Sequence, residues 1–300
     1  TSVLNENNGN PYGFCKNYRR GAGYMKKIVV IFAAFLLTVL LTGCRENADI
    51  NVISREAGSG TRDAFTQLTG IKENGSDNTA VTSEITSSTF VVIKSVAGDK
   101  NAIGYVSLGT LAGDVKALKI NGTAPSAENI ENGTYPLVRT FNIVDKGDLT
   151  AEAQDFVDFV MSAEGREIIE KEGYVAAGEA DSPEKGETDS RKGRIVIAGS
   201  TSVAPLMDVL ADKYMKYHPK VKIEIQQTGS GAGITSVLAG ACDIGISSRE
   251  LTEEEMAKGA CASAIARDGI VVIVNQENKM EDMTIDEIRD IFTGRRTVWR

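Results

Sequence analysis

Histidine, tryptophan and proline are scarce in this sequence. Its 300 residues include one His, one Trp, six Pro and four Cys, and aromatic residues make up 6%. The single histidine, His218, lies in a polar, loop-like stretch before Pro219. It leaves no base beside a serine or cysteine nucleophile, and no Cys/His cluster has metal-ligand spacing. Basic residues are in deficit, with 33 Lys and Arg against 41 Asp and Glu and a net charge of -8. That balance argues against a nucleic-acid partner. An anion bound here must be held by local groups, because the overall field repels it. Nucleotide motifs are also missing. No run reads G-x-x-x-x-G-K-[ST], and Gly58-Ser59-Gly60-Thr61-Arg62-Asp63 lacks the third glycine of a dinucleotide site. These absences point away from an enzyme and from any cofactor or metal.

What is present suits a soluble α/β protein. Hydrophobic residues make up 42% and charged residues 25%, enough for one two-lobed protein or two small domains. Residues 25–44 carry two lysines, a short apolar run and small residues ending at Cys44. This reads as a secretory signal peptide, with residues 1–24 as an upstream extension outside the fold. Leu41-Thr42-Gly43-Cys44 resembles the lipobox of bacterial lipoproteins, which implies cleavage before Cys44 and a lipid on its sulfur. A plain membrane anchor is the competing reading, and either one places the remainder outside the cytoplasm. Of the other cysteines, Cys15 falls in the extension, whereas Cys242 and Cys261 form either a disulfide or two buried free thiols.

The chain divides into two blocks. Residues 178–193 are charged and rich in Gly and Ser, the composition of a flexible linker. Before it, within 45–177, strands are expected at 51–53, 102–108 and 115–120. Helices are expected at 62–68 and 151–174, the second broken near Gly165. After it, within 194–300, strands are expected at 194–198, 221–225, 243–246 and 270–275, and helices at 205–217, 234–238 and 284–292. Thr284 and Glu287 stand at capping-box spacing. The repeated unit of strand, small-residue turn and helix implies an α/β fold with largely parallel sheets flanked by helices. Ligands of such sheets sit at the turns beyond the strand carboxyl ends.

Four turns share one composition: Gly199-Ser200-Thr201-Ser202, Thr228-Gly229-Ser230-Gly231, Ser247-Ser248-Arg249, and the loop from Arg55 through Gly58, Ser59, Gly60 and Thr61 to Arg62. Hydroxyls at helix starts sit beside free backbone N–H groups and the positive dipole end. Together they make a site for an oxyanion, to which Arg55 adds a charged fork. Any one of these hydroxyls alone would read as an ordinary N-cap.

On these residues a family resemblance becomes specific. The segment from Ile53 through Ser54, Arg55, Glu56, Ala57, Gly58, Ser59, Gly60, Thr61, Arg62, Asp63 and Ala64 to Phe65 resembles the signature of the phosphate-binding protein of the Pst-type ABC transporter. Residues 197–205, 243–251, 268–275, 291–294 and 102–106 resemble further segments of that family. The resemblance implies a type II periplasmic-binding-protein fold, with two lobes, a hinge, and inorganic phosphate in the cleft. It implies phosphate contacts at Thr201, Ser202, Ser230, Ser248, Arg55, Ser59, Gly60 and Thr61, and an ABC transporter permease as partner. Transport is the first reading; a surface phosphate sensor, or a binding protein for sulfate or molybdate, is the alternative. Some relatives carry an aspartate at the Ser248 position, where it accepts a proton from phosphate. Serine stands there in this chain, which bears on the rejection of sulfate. Glu56 is expected to pair with an arginine, Arg249 or Arg62. The two blocks follow in the order opposite to the family's, so the chain is expected to be circularly permuted or a fragment of a tandem protein.

Overall fold

The structure is a computed structural model that describes residues 49–111, 113–178 and 192–299. The upstream extension, the signal peptide with Cys44, and nearly all of the expected linker lie outside the described residues.

In chain order the main elements are β1 (Asn51–Arg55), α1 (Gly60–Leu68), β2 (Glu84–Thr86), α2 (Thr89–Gly98), β3 (Ala102–Ser107), β4 (Val138–Asp145), α3 (Ala151–Met161) and α4 (Ala163–Lys171). They continue as β5 (Gly193–Gly199), α5 (Ala204–Tyr217), β6 (Val221–Gln227), α6 (Ser230–Leu238), β7 (Ile244–Ser247), β8 (Cys261–Asn275) and α7 (Ile285–Phe292). The strands run in the order β6-β5-β7-β4-β8-β3-β1-β2. Pairing is parallel among β6, β5 and β7 and among β3, β1 and β2. It is antiparallel around β4 and β8. The α/β class expected from the strand–turn–helix repeat is present, with parallel strands where the small-residue turns lie.

The long strand β8 divides the sheet into two lobes. Its first part, Cys261–Gly269, pairs with β4, and its second, Ile270–Val274, pairs with β3. One lobe holds β1, β2, β3, α1, α2 and α7; the other holds β4 to β7 and α3 to α6. The lobes therefore do not coincide with the two sequence blocks, because each lobe draws strands from both. Each lobe has its own core. One is built on Phe141, Phe156, Ile197, Leu210, Tyr214 and Ile246. The other is built on Phe65, Ile103, Tyr105, Val272, Ile288 and Phe292.

Local chemistry sets the element ends. Ser59, Thr150 and Ser162 each accept the N–H three residues on, satisfying an orphan donor of the first helical turn. Thr284 and Glu287 form the capping box that their spacing predicts. The helix expected over 151–174 is indeed two helices, but the break falls at Ser162, not Gly165. Ser162 is extended, ends α3 and caps α4. Gly165 is needed just after it, since a Cβ there would stand 2.3 Å from the Val160 carbonyl oxygen. The single strand expected over 115–120 is corrected to two. Val115–Ala117 pairs with β8, while Lys119–Ile120 pairs with Asp282–Met283 in a separate small sheet.

Candidate functional site

Seven of the eight residues expected at the site converge through hydrogen bonds or close packing, three from one lobe and four from the other. Arg55 ends β1, and Gly60 and Thr61 open α1. From the opposite lobe come Thr201 and Ser202 between β5 and α5, Ser230 at the start of α6, and Ser248 just after β7. Arg55, Thr61, Thr201, Ser202, Ser230 and Ser248 are all buried. Arg55 Nη2 donates to Thr201 Oγ1 across the cleft at 3.0 Å, and Thr61 Oγ1 meets Ser202 Oγ at 2.9 Å. Gly60 packs against Ser230 and Ser248 so closely that a Cβ on it would stand 2.4 Å from Ser230 Oγ. Ser59 is buried at the same loop but is engaged as the N-cap of α1, where its Oγ accepts from Arg62 N at 3.4 Å. It makes no side-chain bond to the opposite lobe among the described residues.

Two further hydroxyls belong to the cluster. Ser200 Oγ donates to Ser248 Oγ at 2.9 Å, and Ser248 Oγ lies 3.4 Å from Ser230 Oγ. Thr89, the first residue of α2, accepts from Arg55 Nη1 at 3.1 Å. Its Oγ1 lies 3.1 Å from Thr201 Oγ1 and 3.2 Å from Ser202 Oγ. Sequence reasoning passed over Thr89. Ser87-Ser88-Thr89 is rich in hydroxyls and follows a short strand, but the β-branched and aromatic run after it does not read as a helix.

The Arg55 guanidinium is the charge of the site, and its surroundings are closely matched. Nε and Nη2 each donate at 3.0 Å to the two carboxylate oxygens of Glu56, a bidentate fork. The partner expected for Glu56, Arg249 or Arg62, is thereby corrected to its neighbour Arg55. Arg62 is taken by Asp77 at 2.6 Å, and Arg249 by Glu255 and Asp63. A planar fork next to a carboxylate in sequence closes the short ring that more distant arginines cannot reach. Behind Arg55, the Tyr105 hydroxyl meets Ser54 Oγ at 2.9 Å and accepts from Arg55 N at 3.3 Å. Burial pushes this phenol up to about 12, so it stays neutral and can serve both contacts.

Helices α1, α2 and α6 all present their first turns to the cluster, so their unpaired N–H groups and dipoles add positive potential there. Across the rim, Gly231 N donates to Gly58 O at 3.0 Å and Arg249 Nε lies 3.1 Å from an Asp63 oxygen, linking the lobes. Glu56, the carboxylate beside the hydroxyls, is engaged by Arg55. A cluster of hydroxyls and backbone donors around one guanidinium suits the grip of a small tetrahedral anion.

The remaining candidates lie elsewhere. His218 caps the carboxyl end of α5, about 20 Å along that helix from the cluster at 1.5 Å per residue. There it packs against Tyr214, with ring centroids 4.4 Å apart and the ring planes tilted by 35°. Cys242 and Cys261 are both free thiols, and Cys261 is exposed, so the bridge is not formed and only Cys242 is a buried thiol. Among the described residues no group of three His, Cys, Asp or Glu is placed to hold a metal ion.

Comparison with known proteins places this geometry in a family. The model of the PBP superfamily domain matches twice, over residues 43–164 and 179–300. The phosphate-binding protein PstS 2 of Streptococcus agalactiae is 42% identical over 272 residues, covering 87% of this chain and 92% of that protein. A phosphate-binding protein of a phosphate ABC transporter from Streptococcus pneumoniae, known as a crystal structure, shares 44% identity at a TM-score of 0.67. That likeness covers 84% of this chain and 98% of that one. The chain belongs to the PBP superfamily, within the family of PstS-type phosphate-binding proteins. Like these relatives it is a binding protein and not an enzyme. The phosphate-binding protein PstS of Bacillus subtilis aligns over only 133 residues, 42% of this chain and 44% of its own length. The streptococcal alignment, by contrast, runs through both blocks of this chain.

Proposed function

We propose that this protein is an extracytoplasmic lipoprotein, anchored through Cys44, that captures inorganic phosphate for an ABC importer. Phosphate docks on the turns of one lobe, Thr201, Ser202, Ser230 and Ser248. The loop of the other lobe, Arg55 with Ser59, Gly60 and Thr61, then closes over it as the lobes move about the β4–β8 crossing. The observation that carries this reading is the contact of Arg55 with Thr201, a guanidinium and a hydroxyl brought together from opposite lobes inside a buried hydroxyl cluster. The streptococcal relatives named as phosphate-binding proteins support the choice of anion. Affinity then comes from many charge-assisted hydrogen bonds in a desolvated cleft rather than from a basic surface.

Isothermal titration of residues 45–300 with phosphate tests the capture. Saturable one-to-one binding is expected, and an absence of heat and of any thermal shift with phosphate would sink it. The anchor is tested separately: Cys44→Ala should move the protein from the membrane fraction to the medium.

A further inference from the structure

The lobes also meet outside the hydroxyl cluster, at an ion pair. Arg249 Nε lies 3.1 Å from a carboxylate oxygen of Asp63, in the first turn of α1. Arg249 follows Ser248, and Asp63 stands two residues after Thr61, so the pair borders the cluster. Arg249 is built into place by its own lobe. Its N–H donates to Ser247 Oγ at 3.3 Å, and its carbonyl accepts from Asn142 Nδ2 at 3.2 Å. Nη1 and Nη2 donate to the two oxygens of Glu255 at 2.8 and 2.7 Å, and Nη1 donates to the Glu250 carbonyl at 2.8 Å. None of these contacts needs the other lobe. Asp63 likewise has a cation in its own lobe, with Lys72 Nζ at 3.9 Å. Parting of the lobes therefore leaves neither charge alone, and the contact between them breaks at low cost. The guanidinium also flanks the backbone bond from Gly231 N to Gly58 O. A Cβ on Gly231 would stand 3.5 Å from Gly58 O and 3.9 Å from Arg249 Nη2.

Resting on the reading of the cleft as a phosphate site, we propose that Asp63 and Arg249 form a latch between the lobes that sets how fast phosphate is released. The pair forms as the lobes close, and it attracts across the rim without holding the anion itself. It therefore acts on opening rather than on capture, and Asp63 is a positioning residue. Two effects of the Asp63 charge have opposite signs. A lone carboxylate at the mouth repels an incoming anion, so its loss would tighten binding. One half of a latch holds the lobes shut, so its loss speeds release and weakens binding. The contact with Arg249 is at 3.1 Å, whereas solvent at the mouth screens the repulsion of an anion farther inside. The attraction across the rim is then the larger effect.

Stopped-flow capture and release of phosphate by the 45–300 chain test this. In Asp63→Asn, release is expected to be about two- to fivefold faster than in wild type, the worth of a partly exposed ion pair. Capture should keep its rate or quicken. Asp63→Glu keeps the charge and should restore slow release. Added salt should narrow the gap between wild type and Asp63→Asn, because screening weakens the pair. Unchanged or slower release in an Asp63→Asn protein that still binds phosphate overturns the latch and leaves the phosphate reading intact. Equally fast release in Asp63→Glu makes the effect one of shape rather than charge and overturns it too. A wild-type chain that binds no phosphate removes both readings. Should Asp63→Asn not fold, wild-type release decides: it should quicken as salt is added, and a release rate indifferent to salt overturns the latch.

Discussion

Gly60 and Ser230 approach from opposite lobes so closely that a methyl group on Gly60 would stand 2.4 Å from Ser230 Oγ and 2.7 Å from Ser248 Oγ. Real Cβ atoms do not come so near, and the backbone there begins a helix that cannot easily shift. Gly60→Ala should therefore prop the lobes apart while leaving each lobe folded. Phosphate affinity is expected to fall by at least about tenfold, because closure is what brings Arg55 to Thr201. Calorimetry with a melting curve separates the two effects; an unchanged affinity would show that closure tolerates the methyl.

Arg55 is buried with its charge set against Glu56, and its other N–H groups hold Thr89 and Thr201. Removing it leaves the Glu56 carboxylate uncompensated beside the anion. Arg55→Ala should weaken phosphate binding by about 3–5 kcal/mol, the range for breaking a buried charged pair. Arg55→Lys should recover little, since an ammonium cannot form the fork on Glu56 and reach both threonines. Titration of both variants checks this, and wild-type affinity in Arg55→Ala would remove Arg55 from the site.

The rim pair gives a dependence on acid. Hydrogen bonds from Arg249, at 2.7 and 2.8 Å, hold the Glu255 carboxyl at about 2 against an ordinary 4.5. A carboxyl lowered in the folded state stabilises it fully above the unfolded value, and this stabilisation is lost as pH falls from 4.5 toward about 2. Glu255→Gln should flatten that part of the stability curve. Urea unfolding at a series of pH values in this window measures it, and an unaltered slope would deny the pair its role.

At the crossing between lobes, Asp268 of β8 accepts from Arg139 Nε at 2.9 Å and from Ser107 Oγ and Leu108 N of the other lobe at 2.8 and 3.1 Å. Both members of this pair are buried. Asp268→Ala strands the Arg139 guanidinium in the interior and should cost about 3–5 kcal/mol of stability. Asp268→Asn, which keeps the shape and an acceptor, should cost less. Denaturant midpoints distinguish them, and equal losses would point to packing rather than charge.

Much of the site was legible because its chemistry is local. Strand, glycine and hydroxyl fall within a few residues of one another at 199–202, 229–231 and 55–61, and the turn that exposes them is encoded in the same residues. Thr89 escaped because α2 reads Thr-Phe-Val-Val-Ile, a β-branched and aromatic run of low helix propensity. Packing of Val92, Ile93 and Val96 against β3 and β8 makes it helical, and no local signal carries that. The first part of β8 was missed for a related reason. Residues 261–269 are small and polar, and they form a strand because β4 lies alongside. The partner of Glu56 depended on side-chain reach, which spacing does not state.

Because β8 serves both sheets, neither lobe can be finished until the chain has been made as far as Asn275. The first block leaves the ribosome with β3 and β4 each awaiting neighbours that are encoded only in the second block. Such a polypeptide is slow to commit to its native shape. Late commitment suits a molecule whose proposed route runs through a membrane pore that admits only an unfolded strand.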